Sequence, residues 1–255
     1  MCLNPILVLT RIFSILIKIL ISKIKIMKKM VILLFVMVFI GTSPAYGHKL
    51  ISHDDTHRSF DTALQIPDHK VSWAIYEDLG VNEAKFYSFD AKHGDSFYAS
   101  IAIPKINGLE EYSPTLVLVG PGIFENDPIP FETQLGAEKY YFDGKFPGRE
   151  FYEPFGQVSY WERQEVKTEI VTDGQYFIVV MDEKNQSGKY SLAIGTIEDF
   201  SGGDFFTILP KAWLDTKLFV DDFTSIGILI AILIAIPTIP TLIIIKKEKR
   251  LSKSS

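Results

Sequence analysis

Residues 84–103, AKFYSFDAKHGDSFYASIAI, contain two runs in which large apolar and smaller or polar side chains alternate. The runs cover residues 84–91 and 96–103, and the turn-forming sequence KHGD at 92–95 separates them. Because a period of two places every second side chain on the same face, each run predicts a β-strand. Similar runs, rich in aromatic and β-branched residues, occur at 71–76, 115–119, 175–180 and 189–194.

These strands predict an all-β domain, since no pattern typical of a helix occurs before residue 205. Many short strands with frequent turns and no intervening helices favour an antiparallel β-sandwich or jelly roll. We expect residues 175–180 and 189–194 to pair as a hairpin across the polar loop 182–188.

Several segments of this domain resemble the bacterial pre-peptidase C-terminal (PPC) family of jelly rolls. The segments are AKFYSFDAKHGDSFYA at 84–99, PTLVLVG at 114–120, DGQYFIVV at 173–180 and SGKYSLAIG at 187–195. The resemblance covers about residues 70–196. Family members are accessory modules of secreted enzymes and surface proteins, so the resemblance implies binding or spacing and not catalysis. This chain differs from them by a long insert at 124–161 and by the lack of an attached enzyme domain.

An uncharged run of 20 residues at 226–245, IGILIAILIAIPTIPTLIII, is long enough to cross a bilayer as a helix. A buried helix of a soluble protein is the alternative, but such helices usually keep a polar face. Basic residues cluster on the cytoplasmic side of a span. They follow this run at once, so we expect one pass through the cell membrane, with the preceding domain outside and a basic tail, 246–255, in the cytoplasm.

The first 47 residues predict export. Two lysines, an apolar run at 31–40 and small residues at 41–47 match the three parts of a secretory signal. Cleavage at the small residues would leave either His48 or Tyr46 as the new N-terminus.

The residues before this signal, 1–26, are also basic and apolar. They form an additional anchor, or translation starts at Met27, which we favour because the signal is complete from that residue. In that case Cys2, the only cysteine, is absent, and the mature protein has no disulfide and no thiol chemistry.

The distribution of charge also separates the predicted exterior from the two ends of the chain. Residues 48–223 carry 15 Lys and Arg against 30 Asp and Glu, although the net charge of the whole chain is only −5. An acidic exterior argues against nucleic acid and anionic lipid surfaces as partners. An acidic exterior most often serves solubility, and the binding of cations is the second interpretation.

Composition subdivides the part between the signal and the apolar run. A polar arm at 48–69 precedes the predicted sandwich at 70–200, and a short amphipathic segment at 201–225 leads into the span. This last segment would lie at the lipid headgroups with Trp213 as an anchor, or would pack beneath the sandwich.

The insert at 124–161 is rich in aromatic residues among prolines and glycines. Aromatic side chains on rigid loops often bind sugars or proteins. The alternative is a loop that packs its own aromatics onto the sandwich. The candidate ligand surface consists of Phe131, Tyr140, Tyr141, Phe151, Tyr152 and Trp161.

Three of the five histidines lie within a ten-residue stretch of the polar arm, at His48, His53 and His57. Neutral imidazoles bind Cu and Zn, and a free amine at His48 would add a second nitrogen. The candidate metal ligands are His48, His53, His57, Asp54 and Asp55, and otherwise the arm is a solvated tether. The acidic pairs at 77–78, 110–111 and 182–183 are interpreted as solvated turns, although Ca²⁺ uses such oxygens.

No catalytic motif was found: the sequence has no nucleophile elbow, no HExxH pair and no phosphate-binding loop. We therefore expect no enzyme and no cofactor other than a Cu or Zn ion. Two functions remain, a surface module that binds proteins or glycans and a metal-handling surface protein. Asn185 begins the triplet NQS, a glycan acceptor pattern.

The predicted topology can be tested by adding protease to intact cells. An epitope inserted within 124–161 should be removed, because it lies outside, and an epitope at Ser255 should be spared, because the bilayer protects it. Immunoblotting measures both, and the opposite pattern of protection would disprove the orientation.

Overall fold

The computed structural model describes residues 48–198 and 204–251, and it shows a β-sandwich followed by two helices. The predicted signal, the start at Met27 and Cys2 lie outside the described residues. The helices are α1 (Asp204–Phe219) and α2 (Phe223–Leu251), and one 3-10 helix covers Phe60–Thr62. The strands are β1 (Lys49–Leu50), β2 (Leu64–Gln65), β3 (Trp73–Leu79), β4 (Ala84–Ala91), β5 (Ser96–Pro104), β6 (Thr115–Gly120), β7 (Gly136–Tyr140), β8 (Glu150–Glu153), β9 (Val158–Glu169), β10 (Gly174–Met181) and β11 (Gly188–Ile194).

The strands form two sheets. The six-stranded sheet has the order β1-β3-β11-β5-β9-β8, and the five-stranded sheet has the order β2-β4-β10-β6-β7. The short strands β1 and β2 pair in parallel with β3 and β4, and the other named pairs are antiparallel. The β-sandwich predicted from the sequence is confirmed.

Side chains from the two inner faces fill the space between the sheets. Strand β5 shows why the sequence folds this way: Phe97, Ala99, Ile101 and Ile103 are buried, and the residues between them point to the outer face. The same alternation in the other strands completes the core with Ile75, Leu79, Tyr87, Phe89, Leu116, Leu118, Tyr176, Ile178, Val180, Tyr190, Leu192 and Ile194.

The five-stranded sheet is buried on both faces, which explains why β6 and β10 are almost continuously apolar. A second apolar cluster covers its outer face, formed by Phe86, Val117, Val119, Phe177 and Val179 among others. Phe60 of the arm and Phe131 of the insert pack edge-on against Phe86, at ring separations of 5.0 and 4.9 Å. The arm and the insert therefore belong to the folded domain.

The predicted hairpin of residues 175–180 and 189–194 is wrong. β10 pairs with β4 and β6 in one sheet, and β11 pairs with β3 and β5 in the other. The loop between them crosses from one sheet to the other, and the carboxylate of Asp182 accepts hydrogen bonds from the backbone N–H groups of Asn82, Lys184 and Gln186. Asp182 thereby holds the start of the crossing loop in place. A hairpin requires adjacent strands, and β10 and β11 are in different sheets.

The residues 48–69 are not a solvated tether. They contribute β1 and β2 to the sheets, and His57 and Ile66 are buried. The sequence shows no period here because each strand has only two residues.

Helix α1 packs against the outer face of the six-stranded sheet. The rings of Tyr76 and Phe219 stack at 4.5 Å with an angle of 6°, and the hydroxyl groups of Tyr76 and Thr216 share a hydrogen bond of 3.1 Å. Lys189 on β11 donates a hydrogen bond of 2.9 Å to the carbonyl of Phe219, which satisfies one of the last carbonyls of the helix. The helix is thus fixed to the sandwich at its C-terminal end.

Helix α2 begins only a few residues later. Asp222 caps it by accepting hydrogen bonds from the N–H and the hydroxyl of Ser225, and Lys217 of α1 lies 2.9 Å from the same carboxylate. These contacts lower the pKa of Asp222 to about 2. The segment Phe223–Ile243 has a mean hydropathy of 2.6 and none of it is buried, so α2 could span a membrane.

We predict that Phe219→Ala destabilises a fragment of residues 48–222 by about 2 kcal/mol, because it removes the ring that stacks on Tyr76. The control is Leu214→Ala in the same helix, whose side chain is exposed and which should change stability by less than about 0.5 kcal/mol. Urea unfolding followed by fluorescence measures both. Equal effects of the two substitutions would show that α1 is not docked through Phe219.

Candidate functional site

The inner faces of the two sheets enclose a cluster of histidine and carboxylate groups. Nε2 of His57 donates a hydrogen bond of 2.6 Å to Oε1 of Glu77, and both side chains are buried. Nε2 of His53 lies 3.3 Å from the same oxygen and 3.1 Å from the carbonyl oxygen of Tyr76. The two imidazole rings stand edge-on at 4.8 Å.

Two tyrosines and a lysine complete the surroundings of Glu77. The hydroxyl of Tyr87 donates to Oε1 at 3.1 Å and is 2.8 Å from the hydroxyl of Tyr190. Nζ of Lys85 lies 3.8 Å from Oε2, and it also pairs with the carboxylate of Asp55. Burial lowers the pKa of the Lys85 ammonium and raises the pKa of both phenols well above their usual range.

Strand geometry places these groups inside the sandwich. Glu77 lies between the inward residues Ile75 and Leu79 of β3, and Lys85 precedes Tyr87 on the inner face of β4. His53 and His57 lie in the connection between β1 and the 3-10 helix, which closes this end of the sandwich. The buried charges of opposite sign, one on each sheet, therefore face each other.

A groove of about 250 Å³ is present on the outer face of the six-stranded sheet, beside α1. Its floor consists of small residues, because Ala74, Ser100, Ala102, Ser191 and Ala193 all point outward from neighbouring strands. Aromatic rings and carboxylates border it, among them Tyr76, Tyr98, Phe151, Tyr160, Glu153 and Glu162. The groove is therefore a concave surface with a floor of small side chains and a rim of aromatic and acidic side chains.

The structure brings together only part of the predicted metal site. His53 and His57 converge, but their carboxylate neighbour is Glu77. His48 instead shares a hydrogen bond of 2.6 Å with the hydroxyl of Ser72, and Asp54 accepts from the hydroxyl of Thr56 at 2.7 Å. Asp55 is bound to Arg58 at 2.7 Å and to Lys85.

Glu77 is not among the metal ligands predicted from the sequence, because the acidic pair at 77–78 is interpreted there as a solvated turn. That interpretation is wrong. Glu77 is in β3 and 3% exposed, whereas Asp78 points outward. The signal was available: Ile75, Glu77 and Leu79 share one face of an alternating strand, so a carboxylate on the buried face could have been recognised.

The six aromatic residues predicted as a ligand surface are divided among different surroundings. Trp161, 6% exposed, belongs to the main core, Tyr140 packs against that core and Phe131 covers the five-stranded sheet. Phe151 and Tyr152 are exposed on the edge strand β8, and Tyr141 is exposed just after the edge strand β7. The exposed residues therefore lie at the edges of the two sheets.

The predicted glycan acceptor lies in the crossing loop that precedes β11. Asn185 is exposed and adopts a left-handed conformation with φ of 55°, and its side-chain carbonyl accepts a hydrogen bond of 3.3 Å from Asn82. Asparagine tolerates this conformation better than most residues do. Its glycosylation stays a prediction.

No protein-family model and no curated protein matches the chain. Among solved structures it is similar to a periplasmic inhibitor of g-type lysozyme from Salmonella Typhimurium, PliG, at 17% identity and a TM-score of 0.31, covering 52% of this chain and 96% of that one. It is also similar to the pre-peptidase C-terminal domain of a Bacillus anthracis collagenase, with 11% identity, a TM-score of 0.29 and coverage of 51% and 91%. A third similar structure is CorA, a surface-associated copper-binding protein of Methylomicrobium album BG8, with 9% identity, a TM-score of 0.30 and coverage of 53% and 98%. These similarities include the family that the sequence resembles, and they concern the β-sandwich.

We predict that Glu77→Gln destabilises the chain by about 3 kcal/mol, because it leaves the buried ammonium of Lys85 without one of its two carboxylates. The control is Asp78→Asn, which removes the same charge from the exposed face of the same strand and should change stability by less than about 0.5 kcal/mol. Chemical unfolding at neutral pH measures both. If Glu77→Gln and Asp78→Asn had equally small effects, the buried pair of Glu77 and Lys85 would not contribute to stability.

Proposed function

We propose that this chain is a membrane-anchored, non-catalytic module that binds a protein or glycan at the outer cell surface. The groove on the six-stranded sheet carries this proposal. Its rim includes Phe151, a residue that is 43% exposed on an edge strand, next to a floor of small side chains. A large exposed aromatic beside a concave surface is a common feature of interaction sites.

The position of the groove supports binding close to the membrane. Ala212 and Thr216 of α1 line it, and α1 leads into α2 through the short turn that Asp222 caps. If α2 spans the membrane, the groove is held within a short distance of the bilayer and not on a long stalk. The basic residues that follow the apolar run support the orientation with the sandwich outside.

The edge strand offers a second element of recognition. β8 pairs with β9 on one side only, so its other side carries backbone groups that no strand of the described residues uses. Such an edge can accept an added strand of an extended peptide. The aromatic rings of Phe151 and Tyr152 project from opposite faces of this edge, because adjacent residues of a strand alternate.

Site-specific photocrosslinking on intact cells tests this function. A photoreactive phenylalanine analogue at position 151 should form adducts with a surface partner, whereas the same analogue at position 124 should not. Phe124 is the matched control because it is 92% exposed in the same insert but does not line the groove. Ser191→Tyr, which fills the floor, should abolish the adduct at 151.

Treatment of the adduct with protease or with glycosidases shows whether the partner is a protein or a glycan. Equal adducts at 151 and 124, or an adduct that persists after Ser191→Tyr, would contradict the groove as the binding site.

A further inference from the structure

We propose that His53, His57 and Glu77 bind one divalent transition-metal ion with the ligand preference of Zn²⁺. One ligand atom from each of these residues lies within 4.8 Å of the other two. Two imidazole nitrogens and one carboxylate oxygen form a set that Zn²⁺ takes in sites with three protein ligands. This inference is independent of the proposed binding function, since the cluster lies between the sheets and the groove lies on an outer face.

Two of the three distances between the ligand atoms are close to those of a metal site, and the third, between the two imidazole nitrogens, is within 4.8 Å. In tetrahedral Zn²⁺ sites with bonds of about 2.0–2.1 Å, neighbouring ligand atoms are about 3.3 Å apart. Nε2 of His53 and Oε1 of Glu77 are 3.3 Å apart. Nε2 of His57 is 2.6 Å from the same oxygen, the length of the hydrogen bond that now joins them, so a movement of about 0.7 Å gives the metal spacing.

The charges around Glu77 direct one of its oxygens toward the histidines. Lys85 faces Oε2 at 3.8 Å, and Oε1 is the oxygen that both imidazoles and the Tyr87 hydroxyl approach. Groups that hold a ligating carboxylate in one orientation strengthen metal binding. Glu77, Asp55 and Glu83 carry three negative charges against two positive charges, at Lys85 and Arg58, so with neutral imidazoles this group of side chains has a net negative charge that favours a cation.

A metal ion can reach the cluster from the side of His53. The side chain of His53 is 13% exposed, whereas those of His57 and Glu77 are buried. With three protein ligands, the fourth position of a tetrahedral ion is left for a water molecule on this accessible side.

The outer hydrogen bonds of the two imidazoles limit the affinity. Metal binding at Nε2 places the ring proton on Nδ1. Nδ1 of His53 now accepts the backbone N–H of Asp55 at 3.3 Å, and Nδ1 of His57 is buried without a hydrogen-bond partner among the described residues. Because outer partners contribute about 10- to 100-fold to affinity, we expect binding weaker by about this factor than at sites that have them.

The test uses the full-length chain, purified in detergent and freed of metal by chelation. Equilibrium dialysis against Zn²⁺, Cu²⁺ or Ca²⁺, followed by elemental analysis, should give one Zn²⁺ or one Cu²⁺ per chain and no Ca²⁺. Cu²⁺ should displace Zn²⁺, because nitrogen and oxygen donors bind it more tightly. The metal content of chain isolated directly from cells then shows which of the two ions occupies the cluster.

Substitutions assign the site. His53→Ala should weaken Zn²⁺ binding at least tenfold, and the double substitution His53→Ala/His57→Ala should abolish it. His93→Ala is the matched control, since His93 lies exposed in the turn at 92–95, and it should bind as the parent does. His48→Ala should also bind normally, which separates the buried cluster from a clamp at the N-terminus.

Circular dichroism checks whether each variant is folded. If the double variant is not folded, His53→Ala alone decides the result. The proposal is overturned if the parent binds no stoichiometric Zn²⁺ or Cu²⁺, or if His53→Ala binds like the parent. Loss of binding in His48→Ala alone would assign the metal to the N-terminus and would also overturn it.

Discussion

The buried carboxylate of Glu77 connects three parts of the chain. It is on one sheet, its nearest cation is Lys85 on the other sheet, and its closest hydrogen-bond donor is His57 from the N-terminal arm. Charges taken out of water are costly unless they are paired and hydrogen-bonded. The cost is offset only when the sheets and the arm are all in their native places, so the cluster favours one arrangement over alternatives.

The strand that carries Glu77 also organises the opposite face of its sheet. Tyr76, the residue before it, points outward and stacks on Phe219 of α1. Because neighbouring residues of a strand alternate, one strand joins the interior of the sandwich to the helix that leads to the apolar segment. A disturbance of β3 would therefore affect the core and the position of the domain relative to α2 together.

Aromatic residues of the insert are used in two ways. Phe131 and Trp161 stabilise the sandwich by burial, whereas Phe151 stays exposed at the rim of the groove. Burial of a large aromatic side chain contributes on the order of 2 kcal/mol, so most such residues serve stability. The exposed residues Phe151 and Tyr152 of the edge strand do not contribute to the core in this way, and the proposed binding site uses Phe151.

The sequence by itself determined the features that depend on local pattern: the alternating strands of an all-β domain and an apolar run long enough to span a membrane. These follow from the period of the side chains and from the length of an uncharged run, which need no knowledge of the rest of the chain. The tertiary structure alone decided which strands are neighbours, and it separated β10 from β11 although they follow each other in sequence. It also decided that His53 and His57 meet Glu77 and not His48, Asp54 or Asp55, because residues some 20 positions apart are brought together only when the arm folds over the end of the sandwich.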